Sequence, residues 1–168
     1  MAKIVIKYPQ NKESFKAVIT FGKEVLAVLK KVGVQEIIVY GSLAYFAHTE
    51  DESLPVNDID FLLDENYFEQ LIPELEKLKD VRVDVKPYHS IELYKGDLEI
   101  DLDSIEHFLD PRSRESVAVE IERMNLEIVS KDVLADIYQE ALDNMPNEAH
   151  LEEKRSRYQK KLDNLRSL

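Results

Sequence analysis

Two aspartates two residues apart are the first feature of this sequence that could carry chemistry. Asp58 and Asp60 alternate with apolar residues in the run Asp58-Ile59-Asp60-Phe61, so on a β-strand their side chains project from the same face. Carboxylates placed in this way repel each other unless water or a cation lies between them, and Mg²⁺ prefers oxygen ligands of this kind. The pair therefore indicates a divalent metal site. The alternative is a solvated strand end, which the apolar residues around the pair disfavour.

A third carboxylate is available from a later acidic segment. The run Glu99-Ile100-Asp101-Leu102-Asp103 places three acids on one strand face. A set of acids that holds two metal ions about 4 Å apart stabilises the attacking and leaving oxygens in phosphoryl or nucleotidyl displacement. We select Asp101 as the third ligand, with Glu99 and Asp103 as alternates. The competing interpretation of this segment is the polar outer face of an antiparallel strand.

A glycine-serine pair stands at the end of an apolar strand, before the two aspartates. Gly41 and Ser42 follow the β-branched run Ile37-Ile38-Val39 closely. Glycine lets the backbone approach a ligand, and serine supplies a hydroxyl beside the unpaired N–H groups of a helix start, a combination that suits phosphate. A plain turn with a helix N-cap is the alternative interpretation of the pair.

These motifs require a sheet with helices packed against it. Apolar spacing predicts helices at 11–32, 43–48 and 68–78, and helical composition extends over 130–168. Strands are predicted at 4–6, 36–40, 58–63, 81–85, 91–94, 98–102, 117–121 and 126–129. The expected fold is α/β (α+β), a mixed β-sheet flanked by helices, with a C-terminal helical extension. We expect one domain over 1–168, with its core at about 11–129 and the extension at about 130–168.

Composition limits the partners that this chain can have. Asp and Glu number 34 against 22 Lys and Arg, a formal charge of −12, so the surface repels polyanions and a polynucleotide partner is disfavoured. Cysteine is absent, which excludes disulfides, thiolate metal sites and a thiol nucleophile. No segment resembles a secretory signal or the run of about 20 apolar residues that a membrane span needs. A cytoplasmic location without membrane contact is the default expectation.

The histidines form no pattern of their own along the chain. A pair of metal-binding histidines on one helix face would stand four residues apart, and no two of them do. We therefore expect no histidine-based metal site. The four residues are His48, His89, His107 and His150.

The last helical segment combines an apolar seam with a group of cations. The seam would pack on the body of the protein or on a partner helix. The cations alternate with acids at helical pairing distances, which favours an exposed, salt-bridged face over a phosphate contact. The cations are Lys154, Arg155, Arg157, Lys160 and Lys161, and the seam residues are Leu151, Tyr158, Leu162 and Leu165.

Taken in order, the glycine-serine corner, the Asp-apolar-Asp strand and the later single acid resemble the nucleotidyltransferase superfamily. Its members include DNA polymerase beta and the aminoglycoside nucleotidyltransferases. The resemblance spans 36–104, and 126–142 is similar to the strand-then-helix extension of small members. It implies transfer of a nucleoside monophosphate from a nucleoside triphosphate such as ATP, with Mg²⁺ or Mn²⁺, to a hydroxyl of a small-molecule or protein acceptor, with release of pyrophosphate.

The same resemblance implies a role for each motif residue. Asp58 and Asp60 would bind the metals that chelate the triphosphate. Asp101 would be the third metal ligand and would activate the acceptor hydroxyl. Gly41 and Ser42 would hold the phosphates. The predicted catalytic and metal-binding residues are therefore the three aspartates, and the predicted nucleotide-binding residues are the glycine and the serine.

One departure from the family pattern leaves a second function open. Many small members carry an arginine shortly after the glycine-serine pair, and the antibiotic-modifying branch often has one just before the first aspartate. Here 43–57 contains neither arginine nor lysine. Basic residues from other segments of the chain would then have to neutralise the triphosphate charge. The alternative is a non-catalytic, antitoxin-like binding module with the same fold, which acts through a protein partner or by self-association through its C-terminal helices. The other cations considered are Lys86, Lys95, Arg112 and Arg114.

Overall fold

A computed structural model of the chain describes residues 3–6, 13–110 and 114–168, and the strands in these ranges form one eight-stranded mixed sheet. The strands are β1 (Ile4–Ile6), β2 (Ile38–Tyr40), β3 (Asp58–Leu63), β4 (Arg82–Lys86), β5 (Ser90–Lys95), β6 (Leu98–Ser104), β7 (Ser116–Ile121) and β8 (Met124–Val129). The helices are α1 (Glu13–Val32), α2 (Gly41–Thr49), α3 (Phe68–Leu75), α4 (Ile105–Phe108), α5 (Lys131–Asn144) and α6 (Glu152–Arg166), with 3-10 turns at Glu65–Tyr67 and Ala149–Leu151.

The order of strands across the sheet is β1-β7-β8-β2-β3-β6-β5-β4. The pairs β1–β7, β8–β2 and β3–β6 are parallel, and the remaining neighbours are antiparallel. The predicted mixed sheet with flanking helices and a helical C-terminal segment is therefore confirmed. Helix α1 matches the helix predicted at 11–32 from residue 13 onward, and residues 11 and 12 lie outside the described part of the chain. Helix α3 ends at Leu75, three residues before the predicted end.

The parallel pair β3–β6 lies in the interior of the sheet and orients the acids. Ile59 and Phe61 of β3, and the residues paired with them on β6, are fully buried. Helix α1 packs on this face and approaches closely at Gly22, where even a Cβ atom would lie 2.7 Å from Ile59 Cδ1. Because side chains alternate along a strand, Asp58 and every second residue after it face the other side of the sheet.

The acids of β3 face the two C-terminal helices across a cleft. Helix α2 follows β2 directly and packs on β3, and α5 and α6 pack against α2 and against each other. Ser130 caps α5, because its Oγ accepts a hydrogen bond from the Val133 amide at 3.2 Å. Leu162 and Leu165 of α6 are buried, so the apolar seam packs on the body of this same chain. Within the described ranges, no helix has the length and apolar character needed to cross a membrane.

Candidate active site

The register of β3 and β6 brings acids from the two predicted segments together. The two strands run in parallel, with Asp58 opposite Glu99 and Asp60 opposite Asp101. One carboxylate oxygen from each of Asp60, Asp101 and Asp103 lies within 4.8 Å of the other two. Asp103, an alternate in the sequence analysis, thus joins the cluster, whereas Asp58 lies at its edge, two residues before Asp60 along β3.

The clustered acids favour their protonated forms when no cation is present. Burial raises the pKa of Asp101, and the charge of Asp60 raises it further. Burial and the charges of Asp58 and Asp103 likewise raise the pKa of Asp60. Asp101 Oδ1 is buried and has no hydrogen-bond partner among the described residues. Because an unpaired buried oxygen within an all-carboxylate donor set is what a hard divalent cation satisfies, these residues fit Mg²⁺ or Mn²⁺.

Asp103 is held in place by two hydroxyl groups that the motif analysis did not select. Tyr40 Oη donates a hydrogen bond to Asp103 Oδ2 at 2.6 Å, and Ser90 Oγ donates to Oδ1 at 2.6 Å. Burial and the charge of Asp103 raise the pKa of Tyr40, so the phenol remains a donor. Tyr40 could have been found from sequence, because it ends the predicted strand directly before the glycine corner. In the structure it pairs with Asp60. Ser90 has no such signal.

Gly41 makes room for a carboxylate of the cluster. Its φ is +75°, and a Cβ atom there would lie only 2.2 Å from Asp60 Oδ2. A side chain at this position would both strain the backbone and overlap the carboxylate. The N-cap interpretation of Ser42 is wrong, because α2 begins at Gly41 and Tyr40 occupies the cap position without a side-chain hydrogen bond. The Ser42 hydroxyl instead accepts a hydrogen bond from a lysine of α6.

That lysine is Lys161, a cation that lies beside a segment, 43–57, with no basic residue of its own. Its side chain is buried, with 9% of the residue exposed, and its Nζ donates to Ser42 Oγ at 3.2 Å. The Nζ atom also lies 5.5 Å from the Tyr45 ring centroid and 5.4 Å from that of Tyr138, distances typical of cation–π contacts. Burial lowers the pKa of Lys161, while the nearby charge of Asp58 opposes that shift.

The prediction of an exposed, salt-bridged face is therefore wrong for Lys161. The sequence contains a signal for its burial, because Lys161 stands three residues after Tyr158 and four before Leu165, on the same helix face as the apolar seam. The cations proposed from other segments pair with carboxylates elsewhere, at 2.8 Å for Lys86, 3.2 Å for Lys95 and 2.9 Å for Arg114. Arg112 lies outside the described residues.

A cleft of about 470 Å³ joins Asp58 and Asp60 of β3, the glycine corner and the C-terminal helices, whereas Asp101 and Asp103 are not among its lining residues. It is bounded on one side by β3 and the start of α2, and on the other by α5 and α6. A larger cavity of about 620 Å³ involves residues of α1, β7 and β8, but it contains no member of the acidic cluster. The residues that line the smaller cleft are Tyr40, Gly41, Ser42, Leu54, Pro55, Asn57, Asp58, Asp60, Ile137, Tyr138, Ala141, Lys154, Arg157, Tyr158 and Lys161.

Comparison with known proteins identifies the fold. No protein-family model matches the chain, and no curated protein matches its sequence. Among solved structures, ANT(2")-Ia in complex with adenylyl-2"-tobramycin is 18% identical, with a TM-score of 0.57 over 90% of this chain and 95% of that one. Lincomycin-bound LnuA, a lincosamide antibiotic adenylyltransferase, is 14% identical, with a TM-score of 0.59 over 90% and 96% of the two chains. An antigenic nucleotidyltransferase-like protein from Paracoccidioides brasiliensis is 11% identical, with a TM-score of 0.59 over 92% and 76%. The chain therefore has the nucleotidyltransferase fold that its motifs resemble.

Proposed function

We propose that this protein transfers a nucleoside monophosphate from a nucleoside triphosphate to a hydroxyl of a small-molecule acceptor, with release of pyrophosphate. The observation that carries the proposal is the arrangement of the cleft, in which the acids of β3 lie on one wall and the buried cation Lys161 on the other. A cavity of about 470 Å³ has the size of a small-molecule site. The antibiotic adducts and ligands in the two antibiotic-modifying structures above support an acceptor of that class, and the formal charge of −12 disfavours a polynucleotide.

The acids have two tasks in this reaction. Asp60 and Asp101 of the cluster, with Asp58, which lines the same cleft as Asp60, would hold Mg²⁺ or Mn²⁺, which when bound neutralises the triphosphate and polarises the phosphoryl group under attack. Asp101 lies opposite Asp60 on the neighbouring strand, and a carboxylate beside the reacting groups can accept a proton from an attacking hydroxyl. Asp101 therefore takes the proton of the acceptor hydroxyl as that oxygen attacks the α-phosphorus. The bond from the α-phosphorus to the bridging oxygen breaks, and pyrophosphate leaves.

The glycine corner and α6 bind the triphosphate. Gly41 allows the backbone at the start of α2 to turn beside Asp60, and the first residues of the helix line the cleft, where a helix N-terminus suits phosphate. Lys161 already contacts Ser42 Oγ, and it places a positive charge where the phosphates would lie. Because the lysine is buried, its attraction for phosphate is screened less than that of a surface cation. Arg157 and Lys154 line the same cleft and add charge at its outer side.

The antitoxin-like alternative now has less support. It was raised because 43–57 contains no basic residue, and Lys161 offers a source for that charge. It also needed C-terminal helices free to hold a partner, whereas the apolar seam of α6 packs on its own chain. We therefore propose the enzyme alone, and treat the binding module as an outcome of the test.

Nucleotide binding tests the proposal before the acceptor is known. Isothermal titration calorimetry would measure binding of each of the four non-hydrolysable ribonucleoside triphosphates with Mg²⁺ to the parent protein and to D60N and D97N variants. Asp97 lies in the exposed β5–β6 turn and serves as the matched control. We expect binding of at least one triphosphate by the parent and D97N proteins and loss of binding in D60N. Absence of binding by the parent at millimolar triphosphate would contradict the proposal and favour the binding module. A positive result would be followed by pyrophosphate-release assays with aminoglycoside and lincosamide acceptors.

A further inference from the structure

A second group of metal-ligand side chains lies beyond the far end of β3 and β6. Glu65 is in the 3-10 turn after β3, His89 is in the turn before β5, and His107 is in α4 after β6. One ligand atom from each lies within 4.8 Å of the other two. The parallel strands β3 and β6 end at this edge and the antiparallel β5 begins there, so sheet topology brings the three segments together. Spacing along a single helix could not have predicted this group.

The carboxylate of Glu65 contacts both imidazoles. Its Oε2 lies 2.7 Å from His89 Nδ1, and its Oε1 lies 3.5 Å from His107 Nδ1. The two rings are stacked, with centroids 3.5 Å apart and planes 10° apart. In a tetrahedral zinc site with bonds of about 2.0 to 2.1 Å, the ligand atoms lie about 3.3 Å from one another. The contacts with Glu65 differ from that separation by less than 1 Å, so side-chain adjustments alone could accommodate an ion.

The donor set separates this group from the acids of the cleft. Two imidazole nitrogens and one carboxylate oxygen suit Zn²⁺ and neighbouring first-row ions, whereas an all-carboxylate set suits Mg²⁺. The side chains of His89 and His107 are 45% and 44% exposed, and that of Glu65 is 32% exposed. A cation can therefore reach the group from solvent and keep water as a further ligand.

The group is also tied to the strand that carries Asp101 and Asp103. The Ser104 amide donates a hydrogen bond to the His89 carbonyl at 3.0 Å, which fixes the turn before β5 to the end of β6. Ser104 Oγ lies 3.0 Å from His107 Nδ1 and would turn away if that nitrogen bound an ion. Ser90, next to His89, donates to Asp103. An ion at this edge would clamp the segments that position Asp103.

We propose that Glu65, His89 and His107 bind one divalent transition-metal ion, best matched by Zn²⁺, at a site separate from the acids of the cleft. This site does not depend on the proposed function. The probe is Zn²⁺ alone, titrated calorimetrically in excess Mg²⁺ so that the cleft acids are already occupied. The variants are H89N and H107Q. Asn tolerates the backbone φ of +63° at position 89. The matched controls are H150Q, an exposed histidine outside the group, and D101N in the acidic cluster.

We expect the parent, H150Q and D101N proteins each to bind one equivalent of Zn²⁺, and H89N and H107Q each to lose ~100-fold or more in affinity, beyond the ~10- to 100-fold typical of changes next to a metal ligand. The intense visible absorption of tetrahedral Co²⁺ should appear in the same three proteins only. If either histidine variant is unfolded by circular dichroism, E65Q replaces it as the test of ligand loss. No Zn²⁺ binding by the parent, unchanged binding in the ligand variants, or loss of binding in D101N would each overturn the proposal.

Discussion

Replacing Gly41 with alanine tests whether this glycine makes room for the Asp60 carboxylate. The added Cβ would lie 2.2 Å from Asp60 Oδ2, although non-bonded carbon and oxygen atoms keep a separation of at least about 3 Å. The carboxylate would therefore have to move by close to 1 Å. Alanine at a φ of +75° also costs about 1 to 2 kcal/mol of backbone strain. The forced repacking adds about 1 to 3 kcal/mol, so we expect the free energy of unfolding to fall by about 2 to 5 kcal/mol.

Gly96 supplies a matched control for this substitution. Its φ is +60°, but nothing lies within 4 Å of the position its Cβ would take. The G96A variant should therefore show the backbone strain alone. Urea denaturation of both variants measures the difference, and a G41A substitution in a D60A background should lose most of its excess cost because the overlapping carboxylate is gone. Mn²⁺ binding should weaken in G41A and not in G96A. Equal stability losses in G41A and G96A, with Mn²⁺ affinity unchanged in both, would refute this account of the corner.

Three further substitutions test the charges and hydroxyls of the cleft. Lys161→Met should lower triphosphate affinity by about 10- to 100-fold in calorimetry, because a charged hydrogen bond contributes about 1.5 to 3 kcal/mol. Tyr40→Phe should reduce the free energy of unfolding by about 1 to 3 kcal/mol, because it removes one hydrogen bond from buried Asp103. Without metal, stability should decrease as the pH rises from about 4 through neutrality, since the raised pKa values of Asp60 and Asp101 make the folded chain bind more protons than the unfolded chain. Asp101→Asn should make that decrease shallower, as measured by urea denaturation at each pH.

Each of these predictions has a result that would contradict it, and two of them have a control. The control for Lys161→Met is Lys160→Met, on the exposed side of α6, which should leave triphosphate affinity unchanged. If both variants lose the same affinity, the triphosphate responds to the total charge of α6 and not to the buried position of Lys161. If the Tyr40→Phe protein is as stable as the parent, the hydrogen bond from Tyr40 to Asp103 does not stabilise the fold. Saturating Mg²⁺ should abolish much of the decrease in stability with rising pH in the parent protein. If the stability of Asp101→Asn decreases with pH as much as that of the parent, the groups that cause the decrease lie outside the acidic cluster.

The sequence was informative about the acids because their pattern is local. A strand with alternating acidic and apolar residues turns its acids to one face wherever it packs, so β3 and β6 could be assigned acidic faces without a structure. The apolar runs likewise predicted the strands and helices near their observed bounds. The choice among the three acids of β6 was less secure, because it depends on how β6 is registered against β3. That register is decided by contacts between residues some 40 positions apart in the chain.

The position of Lys161 is the clearest example of a feature that the local sequence pattern did not predict. On a helical wheel, Lys161 belongs both to the seam and to a row of charges that alternate with acids. Ion pairing within the helix is the interpretation that can be made from the sequence of α6 alone. Folding α6 back over α2 brings Lys161 to Ser42, 119 positions away in the sequence. The gain from burying the seam, including Leu162 and Leu165, holds the lysine there at the cost of its desolvation.

The amino-acid sequence alone determined the types of element, the face of each strand that carries acids and the glycine at which β2 turns into α2, since these follow from the geometry of one segment. Tertiary structure alone decided which acids share a cation-sized space, that Lys161 faces them, and that Glu65, His89 and His107 meet at one sheet edge. These three outcomes depend on strand register and on helix docking, which are set by the summed burial of many distant side chains and by no single motif.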